Sequence, residues 1–126
     1  MPSNTKVLLV EDDGGVRKAI VRVLRGSGYE VQSYNSAEAL QAVVGDGALS
    51  DCCQCLVCDV RLPGLSGFEL HRRLAEQGSM PAWIFITAHD DPSVRRQAER
   101  DGSAYLLKPF RGRALLALVA EAVHAA

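Results

Sequence analysis

The chain has 126 residues, the length of one domain, and its 48% hydrophobic against 23% charged content excludes a disordered or low-complexity chain. Its 15 acidic residues against 14 Lys and Arg give a formal charge of −1, without the basic excess of a nucleic-acid binder. Apolar runs such as Ala114 to Ala120 fall far short of the roughly 20 residues that cross a bilayer, and the first apolar run is too short for a signal peptide.

Five repeats of apolar run, turn and helical stretch follow one another. Val7 to Val10 is continuously apolar, the pattern of a strand buried on both faces. A first helix is expected from Gly15 to Gly28, with Val16, Ile20, Val23 and Leu24 on one face. Glu30 to Tyr34 alternates like an outer strand. Ser36 opens a second helix in which Leu40, Val43 and Val44 share a stripe, and Gly45, Asp46 and Gly47 end it. Leu49 to Gln54 reads as a loop and Cys55 to Asp59 as the third strand. Pro63, Gly64, Ser66 and Gly67 form a long turn before a third helix that runs to Gln77.

Ala82 to Thr87 is the fourth strand. Asp91 caps a fourth helix with Pro92 at its first position, and Gly102 stops it after Asp101. Ser103 to Leu107 is the fifth strand. A last helix after Pro109 carries Leu115, Leu118, Val119, Ala122 and Val123 on one face. Strands alternating with helices imply right-handed parallel βαβ units, hence a single α/β domain over residues 1–126 with a doubly wound sheet. Such sheets bind ligands beyond the carboxyl ends of their strands.

The four cysteines, Cys52, Cys53, Cys55 and Cys58, cluster too tightly for a disulfide scaffold and read as reduced cytosolic thiols. Cys55 and Cys58 have zinc-like spacing. Within a strand, however, residues three apart point to opposite faces, and no second ligand pair follows.

Glu11, Asp12 and Asp13 end the first strand, Asp59 the third, Thr87 the fourth and Lys108 the fifth. A parallel sheet gathers them at one edge. Two carboxylates about 4 Å apart repel by about 4 kcal/mol at an effective dielectric of 20, so either one takes up a proton or a cation sits among them. Hard oxygen donors on few residues suit Mg²⁺, and Mg²⁺ beside a Lys suits phosphoryl oxygens. A carboxylate beside that metal can itself attack phosphorus.

Four pieces in order, Val7–Asp13, Cys58–Glu69, Ile86–Ala88 and Tyr105–Phe110, resemble the receiver domain of bacterial two-component response regulators over nearly the whole chain. The turn Arg61–Gly67 and the segment Thr87–Asp91 look most like the nitrogen-fixation and LuxR-type transcriptional subfamily. The resemblance implies a flavodoxin-like (βα)5 fold with strand order 2-1-3-4-5. It implies Asp59 as phosphoacceptor and Mg²⁺ held by Asp12, Asp59, Glu11 through water and the Arg61 backbone carbonyl. Thr87 and Lys108 would contact the phosphoryl group, with Thr87 and Tyr105 as switch residues and Lys108–Pro109 as a cis peptide. Arg61 and His89 would flank the phosphoryl group and tune its lifetime, against the alternative of plain solvent exposure.

The resemblance implies a cytoplasmic location for this domain and a sensor histidine kinase as its partner. Helix 4, strand 5 and helix 5 would form a dimerisation or output surface, although Arg95, Arg96 and Arg100 read equally as a solvated face. The 126 residues hold no helix-turn-helix, so direct DNA reading and membrane contact are not expected; an effector or DNA-binding domain would lie beyond residue 126, unless the receiver stands alone. A small Mg²⁺-dependent phosphohydrolase would need a second acid where Arg61 stands and a cap over the site. A phosphorylation-independent interaction module fits less well because Asp59, Asp12 and Lys108 are all present. Flavin or nucleotide binding lacks a Gly-rich phosphate loop.

Overall fold

The computed structural model describes residues 5–101 and 103–124. Five strands, β1 (Lys6–Val10), β2 (Glu30–Tyr34), β3 (Cys55–Asp59), β4 (Ala82–Thr87) and β5 (Ala104–Leu107), form one sheet in the order β2-β1-β3-β4-β5. All four pairings are parallel. Five helices connect and follow them: α1 (Gly14–Gly26), α2 (Ala37–Val44), α3 (Gly67–Glu76), α4 (Pro92–Arg100) and α5 (Gly112–His124). The expected fold class and strand order are therefore observed.

Alternation along the strands divides the core into two layers. Val7, Leu9, Val57, Ile84 and Ile86 face Ile20 and Leu24 of α1 and Leu115 and Val119 of α5. Leu8, Val10, Leu56, Trp83 and Phe85 face Leu40 of α2, Leu70 and Leu74 of α3 and Ala98 of α4. The central strands are apolar throughout because both faces are covered. Cys55 and Cys58 fall in opposite layers. Burial first, with the neighbouring Cys52, pushes the Cys53 thiol up to about 12, and burial pushes Cys55 to about 12. These thiols therefore stay protonated at neutral pH.

The helix starts follow their capping residues. Asp13 Oδ1 accepts the Val16 N–H at 3.0 Å, Ser36 Oγ the Ala39 N–H at 3.1 Å and Asp91 Oδ1 the Ser93 N–H at 2.9 Å. Ser66 and Glu69 form a reciprocal capping box on α3. Asp13 thus starts α1 one residue earlier than expected, at Gly14, and the helix ends at Gly26. Val43 leaves the expected α2 stripe: it is 59% exposed, and Ala37, Leu40 and Val44 form the buried face. The segment read as a loop after α2 contains a 3-10 turn, Leu49–Asp51, because Leu49 is fully buried. The expected stop at Gly102 lies outside the described residues.

Gly67 packs the start of α3 directly on the end of β3. A Cβ there would collide with the Asp59 carbonyl oxygen and lie 3.1 Å from Val60 Cα. Gly67→Ala is expected to destabilise the fold by about 1–3 kcal/mol through overpacking. Gly26, with nothing within 4 Å of an added Cβ, is the control. Urea unfolding that finds Gly67→Ala as harmless as Gly26→Ala would show that no close approach exists.

His71 of α3 stacks edge-on against Trp83, with ring centroids 4.8 Å apart at 82°. Its Nδ1 lies 3.8 Å from Asp101 Oδ2. Burial holds the His71 pKa below the usual 6.5, and Asp101 opposes this only in part. The unfolded chain then binds a proton that the folded chain refuses, so stability falls as pH drops from about 6.5. His71→Leu is expected to flatten that slope in unfolding free energies measured from about pH 8 to 5; an unchanged slope would place its origin elsewhere.

Candidate functional site

The parallel sheet brings Glu11, Asp59, Thr87 and Lys108 together although 97 residues separate the first from the last. Lys108 follows β5, and its N–H donates to the Thr87 carbonyl at 2.7 Å. The next peptide bond, Lys108–Pro109, is cis, as the resemblance implied. The Lys108 ammonium then reaches across the sheet edge, donating to Glu11 Oε1 at 2.7 Å and to Asp59 Oδ2 at 2.8 Å. Of the two outcomes expected for the crowded carboxylates, a cation sits among them, and the chain itself supplies it. Sequence reasoning had placed Lys108 toward a phosphoryl group and missed this bridge, which only the spatial approach of β1, β3 and β5 reveals.

Both carboxylates are buried, Glu11 at 0% and Asp59 at 5% exposure. Glu11 Oε2 also accepts the Asp13 N–H at 3.1 Å, and Asp59 Oδ1 the Arg61 N–H at 3.1 Å. Burial raises the Glu11 pKa from its usual value, with the Lys108 and Asp13 hydrogen bonds pulling the other way. Burial works against the charge on Lys108 too, but Asp59 and Glu11 outweigh it and hold its pKa above the ordinary Lys value. Lys108 is accordingly an ammonium at neutral pH.

Asp12 is exposed, in contrast to Glu11 and Asp59. Carboxylate oxygens of Glu11, Asp12 and Asp59 all lie within 4.8 Å of one another. A set of hard oxygen donors with one solvent-facing member fits Mg²⁺, which retains several waters.

Thr87 is buried at 1% exposure, and its Oγ1 accepts the His89 N–H at 3.2 Å. Tyr105 is half-buried, packs against the Trp83–Phe85 layer and donates its hydroxyl to the His89 carbonyl at 3.1 Å. The Arg61 and His89 side chains are exposed. Arg61 touches the site through its backbone N–H. Asp13 serves α1 as a cap. Two supports were missed by the sequence reading. Arg17 donates to the Glu11 carbonyl at 2.9 Å. Glu38 Oε2 accepts the Leu65 N–H at 3.2 Å beside Gly64, whose φ is 78°. Leu62 and Leu65 are buried and anchor that turn.

The site is thus an acidic cluster bridged by a Lys at the carboxyl edge of a doubly wound sheet. The family model described as "Response regulator receiver domain" matches residues 7–120, and the chain belongs to that family. It is 40% identical over 120 residues to nodulation protein W of Bradyrhizobium diazoefficiens, covering 94% of this chain and 51% of that protein. It is 36% identical over 120 residues to the transcriptional regulatory protein FixJ of Azorhizobium caulinodans, covering 94% and 55%. The chain thus spans about half the length of these relatives. A crystal structure of FixJ-N superposes with a TM-score of 0.83 at 29% identity, covering 99% of this chain and 98% of that one. The expected likeness to nitrogen-fixation regulators is borne out. The chain is a receiver domain of two-component response regulators, proteins that are not classical enzymes, and its Glu11, Asp12 and Asp59 cluster fits the phosphorylation site.

Lys108→Met leaves two buried carboxylates facing each other without a cation. It is expected to lower stability by about 3–5 kcal/mol, the scale of a broken buried ion pair. Millimolar Mg²⁺ should restore more stability to this variant than it adds to the wild type, where the ammonium already sits. Thermal unfolding with and without Mg²⁺ checks both; an unmoved midpoint in the variant would remove the bridge as a structural element.

Proposed function

We propose that the chain is a single cytoplasmic receiver unit in which Asp59 accepts a phosphoryl group from the phosphohistidine of a sensor histidine kinase. The observation that carries this reading is the Lys108 bridge: a buried carboxylate held 2.8 Å from an ammonium at the carboxyl edge of the sheet. An oxygen of Asp59 attacks phosphorus, the P–O bond forms, and the P–N bond to the histidine breaks with its electron pair returning to the imidazole. The Asp59 negative charge is replaced by charge on the phosphoryl oxygens, and the Lys108 ammonium follows it. Thr87 supplies a hydroxyl donor. Asp12, Asp59, Glu11 through water and the Arg61 carbonyl would hold Mg²⁺, which when bound neutralises the phosphoryl oxygens.

Arg61 and His89 set how long the acyl phosphate survives, their exposed side chains standing two residues beyond Asp59 and Thr87. Thr87 and Tyr105 then bias the face of α4, β5 and α5, which serves output or homodimerisation and, through a further domain, transcription. The domain catalyses its own phosphorylation and hydrolysis and acts on no external substrate. Among the described residues no helix is long and apolar enough to cross a membrane.

Acetyl phosphate with Mg²⁺ is expected to add one phosphoryl group at Asp59, read by intact-mass and peptide mass spectrometry. Asp59→Asn abolishes the adduct, and Asp12→Ala lowers its yield at least about tenfold, because a Lewis acid on the phosphoryl oxygens contributes several kcal/mol. No adduct on the wild type, or an equal one on Asp59→Asn, would sink the reading.

A further inference from the structure

The contacts around Thr87 continue outward to the surface of α4. Thr87 Oγ1 accepts the His89 N–H at 3.2 Å, and the carbonyl of the same residue accepts the Tyr105 hydroxyl at 3.1 Å. The Arg95 guanidinium lies 5.3 Å from the centre of the Tyr105 ring. It also pairs with Asp90 Oδ1 at 2.7 Å. Asp90 directly follows His89. Arg95 therefore grips the turn between β4 and α4 at two points, once through Asp90 and once through the ring that is bonded to His89.

We propose that Arg95 is a positioning residue for the Thr87 hydroxyl, acting through Tyr105 and the His89 backbone. A Thr hydroxyl has one donor and two acceptor sites. The His89 N–H occupies one acceptor site, which restricts where the Oγ1–H can point. That restriction holds only while residue 89 is itself held, and its carbonyl is tied to Tyr105. With the ring and Asp90 released, the turn gains freedom that must be lost again when the hydroxyl meets a phosphoryl oxygen. Read as sequence, Arg95 was one of three arginines on a solvated helix face. The structure separates it from Arg96 and Arg100 by its two contacts. The inference rests on the proposed role of Asp59 and Thr87 and adds a support for it outside the acidic cluster.

Both Arg95 links are exposed, so each is modest and the effect is a tuning one. The test is the rate of Asp59 labelling by acetyl phosphate in the full chain. Arg95→Met and Tyr105→Phe are each expected to slow labelling about three- to fivefold, or about 0.7–1 kcal/mol at 1.36 kcal/mol per tenfold. Combining them should cost no more than either alone, and Arg95→Lys should recover most of the loss. In a Thr87→Ala background, Arg95→Met should change nothing. Arg95→Met slowing the Thr87→Ala variant as much as the wild type, or leaving the wild-type rate unaltered, overturns the proposal.

A second readout needs no phosphorylation. The His89 amide resonance should shift in Arg95→Met and return in Arg95→Lys, whereas an unmoved amide also overturns the proposal. A wild type that forms no adduct sinks the phosphoacceptor reading; the amide resonance then judges the link from Arg95 to His89 by itself.

Discussion

The Lys108 ammonium lies between two buried carboxylates, and the site exists in its observed form because of that contact. Burial first, and the nearby Asp59 carboxylate, raise the Glu11 pKa at the end of β1, so this corner of the sheet favours a cation. The Lys108 ammonium offsets part of that effect, donating to Glu11 at 2.7 Å and to Asp59 at 2.8 Å. It also leaves the site responsive. A group that brings its own negative charge to Asp59, or a divalent ion that brings positive charge to Asp12, redistributes what Lys108 now neutralises.

That contact depends in turn on how tightly the surrounding backbone is held. The end of β3 is fixed from one side by the Val60 N–H donating to Ile86 at 2.9 Å, and from the other by Gly67, whose own N–H donates to Val60 at 2.9 Å. The turn after Asp59 is anchored by the buried Leu62 and Leu65 and by Glu38 reaching from α2. The turns after β1 and β3 therefore carry their acids on rigid supports. The turn after β4 differs: beyond the Thr87–His89 bond, its side-chain links run through the exposed Arg95–Asp90 pair and the half-buried Tyr105. Rigidity at the charged centre beside looser links toward α4 is the arrangement a switch requires, because a local change in charge can then bias a distant face without dismantling the core.

Most of the architecture was legible along the chain. β2, β3 and β4 stand where apolar runs and alternation put them, and Ser36 and Asp91 mark the starts of their helices. These signals are local: a capping side chain bonds a backbone N–H two or three residues away, and a doubly buried strand must be apolar throughout. The misreadings came where local pattern was ambiguous. Val43 is apolar and lies next to the α2 stripe, yet the rotation of the short helix leaves it outside. Leu49 lies in a segment without periodicity, and only its partners in the second layer explain its burial.

The sequence alone determined the alternation of strands and helices, the identity of the acidic and basic residues at the strand ends, and hence the edge where chemistry must lie. The tertiary structure alone decided which of those charges meet. Glu11 and Asp59 share Lys108, Asp12 stays in solvent, and Arg61 meets Asp59 through its backbone N–H. Propensity and capping act over a few residues and are written in order along the chain. Ion pairing depends on distance in space, and distances between residues 11, 59 and 108 exist only once the sheet has assembled.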